Sequence, residues 1–156
     1  MQTTLIILKP DAIQRGLAGQ ILQRFERKGL RIVGAKLMMV PKELAEQHYA
    51  EHKGKPFYEG LIKFITSSPV MVLAIRGLEA VTVCRTLIGA TNGRKADPGT
   101  IRGDFGMSGG FNLVHGSDSE ASAERELALW FKPEELADPD TARTIEQWVY
   151  DPSDLK

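Results

Sequence analysis

One cysteine, Cys84, stands among the 156 residues. Without a second thiol no intrachain disulfide can form, which suits a reducing, intracellular setting. Neither sign of charge is in surplus: twenty Lys and Arg offset twenty Asp and Glu. A protein that coats nucleic acid needs a basic excess, so no dedicated nucleic-acid site is expected. A neutral total still permits a local basic pocket for a small anion. Long hydrophobic runs are missing too. The stretch Val70 to Ile75 is far too short to span a bilayer, and no membrane association is expected. The start, Met1-Gln2-Thr3-Thr4, leads into a short apolar run that Lys9 ends, without the basic and long apolar regions of a secretory signal. A cytoplasmic location follows as the expectation. Two phosphate-binding signatures are absent, GxxxxGK[ST] and GxGxxG at a strand–helix turn. A phosphate-handling protein without them needs another device, and a histidine that carries the phosphoryl group is one.

Hydrophobic residues make up 42% of the chain and charged residues 26%, an ordinary globular balance, and the length fits one domain. Such a domain buries roughly 70% of the surface of its unfolded chain. Leu5-Ile6-Ile7-Leu8 predicts a buried strand. Leu17, Ile21 and Phe25 predict a helix that stops near Gly29. Arg31 to Val40 predicts a strand ended by Pro41, and Lys42 to His52 a short polar helix. Phe57, Leu61, Phe64 and Ile65 mark another helix, Val70 to Ile75 a third strand, and Ala80, Val83, Cys84, Leu87 and Ile88 a further helix. From Gly89 to Gly110 no period is visible, and a loop that long is functional or disordered. Its cations, Arg94, Lys95 and Arg102, suggest an anion site. Phe111 to His115 predicts a fourth strand, followed by a helix with Ala123, Leu127, Trp130 and Phe131 on one face. The tail after Lys132 reads as irregular or partly helical. This alternation favours a parallel, doubly wound sheet.

The densest polar cluster is Asn112-Leu113-Val114-His115-Gly116-Ser117-Asp118-Ser119, where a strand runs into a helix. Ser117 and Glu120 have capping-box spacing. Unpaired N–H groups at the helix start favour an anion and disfavour a protonated imidazole, which suits a nucleophile. Gly116 removes a side chain where a phosphate would approach. The other reading is a strand-end histidine satisfied by local hydrogen bonds. Lys9, in Lys9-Pro10-Asp11, interrupts an apolar run; it is either a phosphate anchor or a solvated strand end. Arg102, and Arg85 off the apolar stripe of its helix, could grip phosphate oxygens with their forks, or be solvated. Phe57 and Tyr49 are stacking aromatics or core. His48 and His52 share HxxxH spacing, a weak metal pattern without a third ligand and more simply two packed or solvated histidines. Glu126 is a solvated helix carboxylate or a partner that orients His115.

Asn112-x-x-His115-Gly116-Ser117-Asp118 resembles the active-site motif of nucleoside diphosphate kinases. Thr4 to Asp11, Pro98-Gly99-Thr100-Ile101-Arg102-Gly103-Asp104-Phe105 and Leu129-Trp130-Phe131 also resemble that family, in its order along nearly the whole chain. The resemblance implies one kinase domain over residues 1–156 with a ferredoxin-like α/β (α+β) fold, a four-stranded antiparallel sheet covered by helices. It thereby overrules the parallel sheet. It implies that His115 is phosphorylated on Nδ1 in a ping-pong exchange between nucleoside tri- and diphosphates with broad base tolerance. Glu126 and Ser117 would orient the imidazole. Lys9, Arg85, Thr91, Arg102 and Asn112 would hold phosphates and ribose. Tyr49 would lie near the phosphate and Phe57 would stack on the base. Mg2+ would be held mainly by the nucleotide's phosphates, with Asp118 nearby.

Relatives are hexamers or tetramers. The tail through Trp148-Val149-Tyr150 resembles hexameric members, so a homohexamer is expected and a tetramer is the alternative. Four positions depart from the family pattern: Phe111 where arginine is frequent, Gly109 where a larger apolar residue is, Gly93 where proline is, and His52 where an aliphatic residue is. The rival reading is a non-catalytic ferredoxin-like module that binds nucleic acid through its sheet, or a scaffold; neither needs His115, Lys9 and Arg102 together.

Overall fold

The run Leu5–Leu8 lies at the heart of a four-stranded sheet and is fully buried on both faces. The computed structural model describes residues 1–137 and 146–155. Its strands are β1 (Gln2–Leu8), β2 (Arg31–Met38), β3 (Val70–Gly77) and β4 (Val114–Gly116). Its helices are α1 (Pro10–Gln14), α2 (Ala18–Arg27), α3 (Lys42–His48), α4 (Tyr58–Ile65), α5 (Ala80–Ile88), α6 (Ile101–Phe105), α7 (Glu120–Trp130) and α8 (Glu146–Val149). The strand order is β2-β3-β1-β4, and every neighbouring pair is antiparallel. The parallel sheet expected from alternation is therefore wrong, for a specific reason. β1 and β2 do point the same way, as do β3 and β4, because each pair is antiparallel to the strand between them. The helical connections β1–β2 and β3–β4 join strands of one direction, as the rule assumes, but each pair admits an antiparallel strand into the gap, and α3 and α4 join β2 to its antiparallel neighbour β3.

Alternate residues of each strand face opposite sides. Ile6 and Leu8 pack with Leu73 and Ile75 under α2 and α5, against Ile21, Phe25, Ala80, Cys84 and Ile88. Leu5 and Ile7 pack with Val72 and Ala74 on the other side, against Tyr49, Ile62, Ile65 and Trp130 of the α3–α4–α7 layer. Each buried Val, Leu, Ile or Phe among them contributes about 1.5–3 kcal/mol by leaving water. A run apolar on both faces thus reflects two helical layers rather than strand direction. With both faces covered, the sheet offers no bare platform for single-stranded nucleic acid.

Three segments differ from the periodicity reading. The helix expected over Lys42–His52 ends at His48, and Ala50–His52 forms a 3-10 turn. The strand expected over Phe111–His115 begins only at Val114, because Leu113 adopts a left-handed φ of 71°. That geometry costs a non-glycine residue about 1–3 kcal/mol. It is held by Leu113 N–H donating to Asp11 Oδ2 at 3.1 Å and by Lys9 N–H donating to the Leu113 carbonyl at 2.8 Å. The loop 89–110 is also built, containing a 3-10 turn, Gly93–Lys95, and α6. The tail folds back in part: Ala137 N–H reaches the Val33 carbonyl and Tyr150 Oη accepts from Leu78 N–H. Residues 138–145, on which the rest of that reading falls, lie outside the described residues.

Gly93 locks that loop. Its N–H donates to the Ser108 carbonyl at 3.1 Å, and a Cβ there would overlap the Gly106 carbonyl group. Proline, common here in the family, could make neither contact. Gly93→Pro should therefore destabilise the protein by about 2 kcal/mol or more, lowering Tm by roughly 4 °C or more in a thermal melt. An unchanged Tm would contradict this packing.

Candidate active site

β4 brings His115 opposite Ile7 of β1. Residues paired across antiparallel strands share a face, so His115 points into the α3–α4–α7 layer. There Nε2 lies 2.9 Å from Glu126 Oε2, which also accepts the Ser117 hydroxyl at 2.7 Å. Glu126 sits in the second turn of α7, on the side turned to the sheet, and is only 5% exposed. Burial alone would push its carboxyl up. The hydrogen bond and charge of His115, with Ser117, outweigh burial and hold it below the ordinary value. An ionised carboxylate accepts, so Nε2 carries the proton, and in the neutral ring Nδ1 keeps its lone pair. The expected capping box does not form. Ser119 caps α7, accepting from Ser122 N–H, and leaves Ser117 free to serve Glu126.

The strained turn before β4 sets the cationic wall. Leu113 goes into the core, and Asn112 turns to Lys9, whose Nζ donates to Asn112 Oδ1 at 2.7 Å. The Asn112 amide in turn donates to the carbonyls of Thr91 and Gly109, both at 3.0 Å. Lys9 is 8% exposed, and its pKa is pushed down to about 8, by burial first and then by Arg102, with Asp11 opposing. Arg102, from α6, is 7% exposed. Its Nε, Nη1 and Nη2 donate to the carbonyls of Asn112, Gly89 and Val114 at 3.0, 3.2 and 2.6 Å. Three of its five N–H groups therefore fix the loop, and two remain for a ligand. Burial, then Arg85, pushes its pKa down to about 10. Arg85 Nη1 donates to the Gly116 carbonyl at 3.2 Å.

These groups line one cleft of about 350 Å3. Lys9, Arg85, Thr91, Arg102 and Asn112 form its cationic end around His115. Phe57 and Leu61 add an apolar part to its lining, as Gly109 and Gly110 add bare backbone. Phe57 is 51% exposed, placed by its position at the start of α4. Tyr49 is buried beside His48, and burial followed by the Glu126 charge raises its hydroxyl to about 12, so it stays a neutral donor. Asp118 is exposed at the rim. Its carboxyl is held low by the hydroxyls of Ser122 and Ser119 and by the Arg85 charge, against partial burial. All the predicted site residues therefore converge, with Ser117 just behind the cleft wall under Glu126.

The departures sort themselves by position. Gly109 and His52 line the cleft, and His52 stands edge-on to Phe57 with ring centres 5.4 Å apart. Phe111 instead stacks on Phe64, 4.4 Å away. Gly116 lines the cleft beside His115 and also serves the core, since a Cβ there would press to 2.8 Å from Ile88. His48 and His52 do not converge as an HxxxH pair. His48 is buried against His115 and Trp130, and His48, His115 and Glu126 offer donor atoms within 4.8 Å of one another. Helical spacing places Trp130 on an apolar stripe and gives no sign that its indole N–H reaches His48 Nδ1, at 3.1 Å.

A family profile described as nucleoside diphosphate kinase matches residues 2–136. A nucleoside diphosphate kinase of Staphylococcus epidermidis is 54% identical over 151 residues, 97% of this chain and 100% of that one. That of Carboxydothermus hydrogenoformans is 53% identical over the same shares. Among solved structures, a halophilic nucleoside diphosphate kinase from Halobacterium salinarum in complex with CDP superposes with a TM-score of 0.93 at 49% identity, covering 96% of this chain and 99% of that one. A nucleoside diphosphate kinase family protein from Babesia bovis gives 0.92 at 46% identity, over 96% and 100%. With a carboxylate-held histidine, a cationic cleft and this likeness along nearly its whole length, the chain belongs to the nucleoside diphosphate kinase family.

Proposed function

We propose that the chain moves the γ-phosphoryl group of a nucleoside triphosphate to a nucleoside diphosphate through a phosphohistidine on His115. The observation that carries this reading is the His115–Glu126 bond of 2.9 Å beside the Lys9–Asn112 pair in one cleft. Nδ1, left with its lone pair, attacks the γ-phosphorus. The N–P bond forms as the bond to the β,γ-bridging oxygen breaks, and the diphosphate leaves with that electron pair. The ring becomes cationic, and the Glu126 carboxylate stabilises it. A second diphosphate then takes the phosphoryl group by the reverse step. Lys9, Arg102 and Arg85 neutralise phosphate charge as it redistributes, and Asn112 and Thr91 hold the sugar–phosphate portion. Tyr49 donates near the transferred group.

The residues present fit Mg2+ that is carried mainly by phosphates. Asp118, ionised and exposed, would offer the ion a carboxylate oxygen, while Lys9, Arg85 and Arg102 make the rest of the cleft cationic. When bound, the ion would supply further neutralisation of phosphate charge. Phe57 would stack on the base without reading its edges, so purines and pyrimidines would be accepted alike.

We further infer one kinase domain over residues 1–156 acting as a homohexamer in the cytoplasm. Exposed Leu37 and Met39 at the edge strand β2, and exposed Trp148, support assembly. The buried, free Cys84 thiol suits a reducing compartment. No helix among the described residues is long and apolar enough to cross a membrane.

Incubated with Mg2+ and ATP without acceptor, the protein should gain one acid-labile phosphoryl group by intact mass. Discharge by GDP, CDP and UDP should be comparable, and His115→Ala should gain nothing. A folded protein that gains no mass would sink the phosphohistidine, discharge by one base only would sink the tolerance, and a native mass of four chains would overturn the hexamer.

Phosphate capture needs Lys9 charged. Its depressed pKa means that cation is lost as pH rises through about 8, rather than near the 10.5 of a free lysine. The value of kcat/KM for a diphosphate acceptor should therefore fall on the alkaline side of about pH 8. A profile flat to about pH 10 would show that the Lys9 charge is not needed.

A further inference from the structure

His48 ends α3 and is 3% exposed. Its Nδ1 lies 3.1 Å from Trp130 Nε1. An indole nitrogen only donates, so His48 Nδ1 must be the bare nitrogen and a neutral ring carries its proton on Nε2. That Nε2 is buried and has no hydrogen-bond partner among the described residues. Buried donors rarely stay unpaired, and those that do call for a reason. The ring lines the cleft and stands edge-on to His115, with ring centres 4.6 Å apart at 82°. It is also held uncharged. Burial first, then the His115, Arg125 and Lys9 charges, push its pKa down to about 3, against the pull of Glu126.

By donor type, His48, His115 and Glu126 would suit a zinc ion. Trp130 rules this out chemically. While its N–H occupies Nδ1, His48 Nε2 has a proton and no lone pair for a metal. Switching the tautomer would set one N–H against another inside the protein.

We propose that His48, locked by Trp130 as the Nε2–H tautomer, is a catalytic hydrogen-bond donor held for an oxygen of the phosphoryl group on His115. The inference rests on His115 being the phosphorylated residue. A neutral donor suits this place. It adds no second cation beside a ring that turns positive on attack, and it gains its partner only when the phosphoryl group arrives. Binding strengthened at that stage accelerates transfer instead of merely tightening ground-state binding.

The test compares His48→Phe, which keeps a ring and removes the donor, with His48→Gln, whose amide N–H reaches about where Nε2 does. Folding is checked by circular dichroism, and phosphorylation by Mg2+-ATP is followed in single turnover. Loss of one hydrogen bond to a charged group predicts transfer slowed about 10- to 100-fold in His48→Phe, with the KM for ATP little changed and most of the rate restored in His48→Gln. A folded His48→Phe that phosphorylates His115 at full speed overturns the proposal while leaving the phosphohistidine intact. If neither variant folds, the wild-type protein still decides. Nitrogen NMR should show His48 protonated on Nε2 and unprotonated on Nδ1, and titration with zinc chloride should leave those His48 signals unchanged. The opposite tautomer, or loss of the Nε2 proton on adding zinc, would overturn the lock.

Discussion

The hydrogen bond between His115 and Glu126 is the constraint around which the rest is arranged. It joins the shortest strand of the sheet to the second turn of α7, and it decides which imidazole nitrogen is free. Three features must hold for it to form. β4 must pair with β1 in the register that sets His115 beside Ile7. α7 must lie on that face, where Trp130 packs with Leu5, Ile7 and Ala74. Glu126 must stay ionised although buried, which the Ser117 hydroxyl and the imidazole together allow. The core and the site are thus one construction: the apolar burial that fixes the register also fixes the attacking nitrogen.

The cationic wall shows the same economy. A strained Leu113 lets a residue with a core side chain follow one whose amide enters the cleft. Arg102 ties the loop 89–110 to the start of β4 through the carbonyls of Asn112 and Val114, closes the loop on Gly89, and still has two N–H groups to offer. Burial lowers the affinity of both Lys9 and Arg102 for protons, and the neighbouring charge adds to it: Arg102 acts on Lys9, and Arg85 acts on Arg102. Such a pair is poised for a polyanion, since incoming phosphate removes the repulsion that the empty cleft must sustain.

Much of this was legible in the residues. Lys9 stands out because a charge interrupts an apolar run, and the cluster from Asn112 to Ser119 because polar groups crowd a strand–helix junction. The helices around Ile21, Ile65 and Cys84 follow from their period. Strand direction was not legible, since residues apolar on both faces look alike in parallel and antiparallel sheets; only the family resemblance corrected it. Nor was α6, because its five residues are too short to show a period among glycines. Leu113 concealed the start of β4, for nothing about leucine announces a positive φ. His48 and Trp130 were readable as ordinary core, and only side-chain geometry shows that one sets the tautomer of the other.

The most direct measurement concerns the nitrogen that Glu126 leaves free. The phosphoenzyme, prepared from ATP and uniformly 15N-labelled protein, would be examined by NMR for coupling between phosphorus and the ring nitrogens of His115. Phosphorus bonded to Nδ1, with Nε2 still protonated and facing Glu126, is the predicted result. Phosphorus bonded to Nε2 would mean that the carboxylate does not hold that nitrogen during transfer, and would contradict the arrangement described.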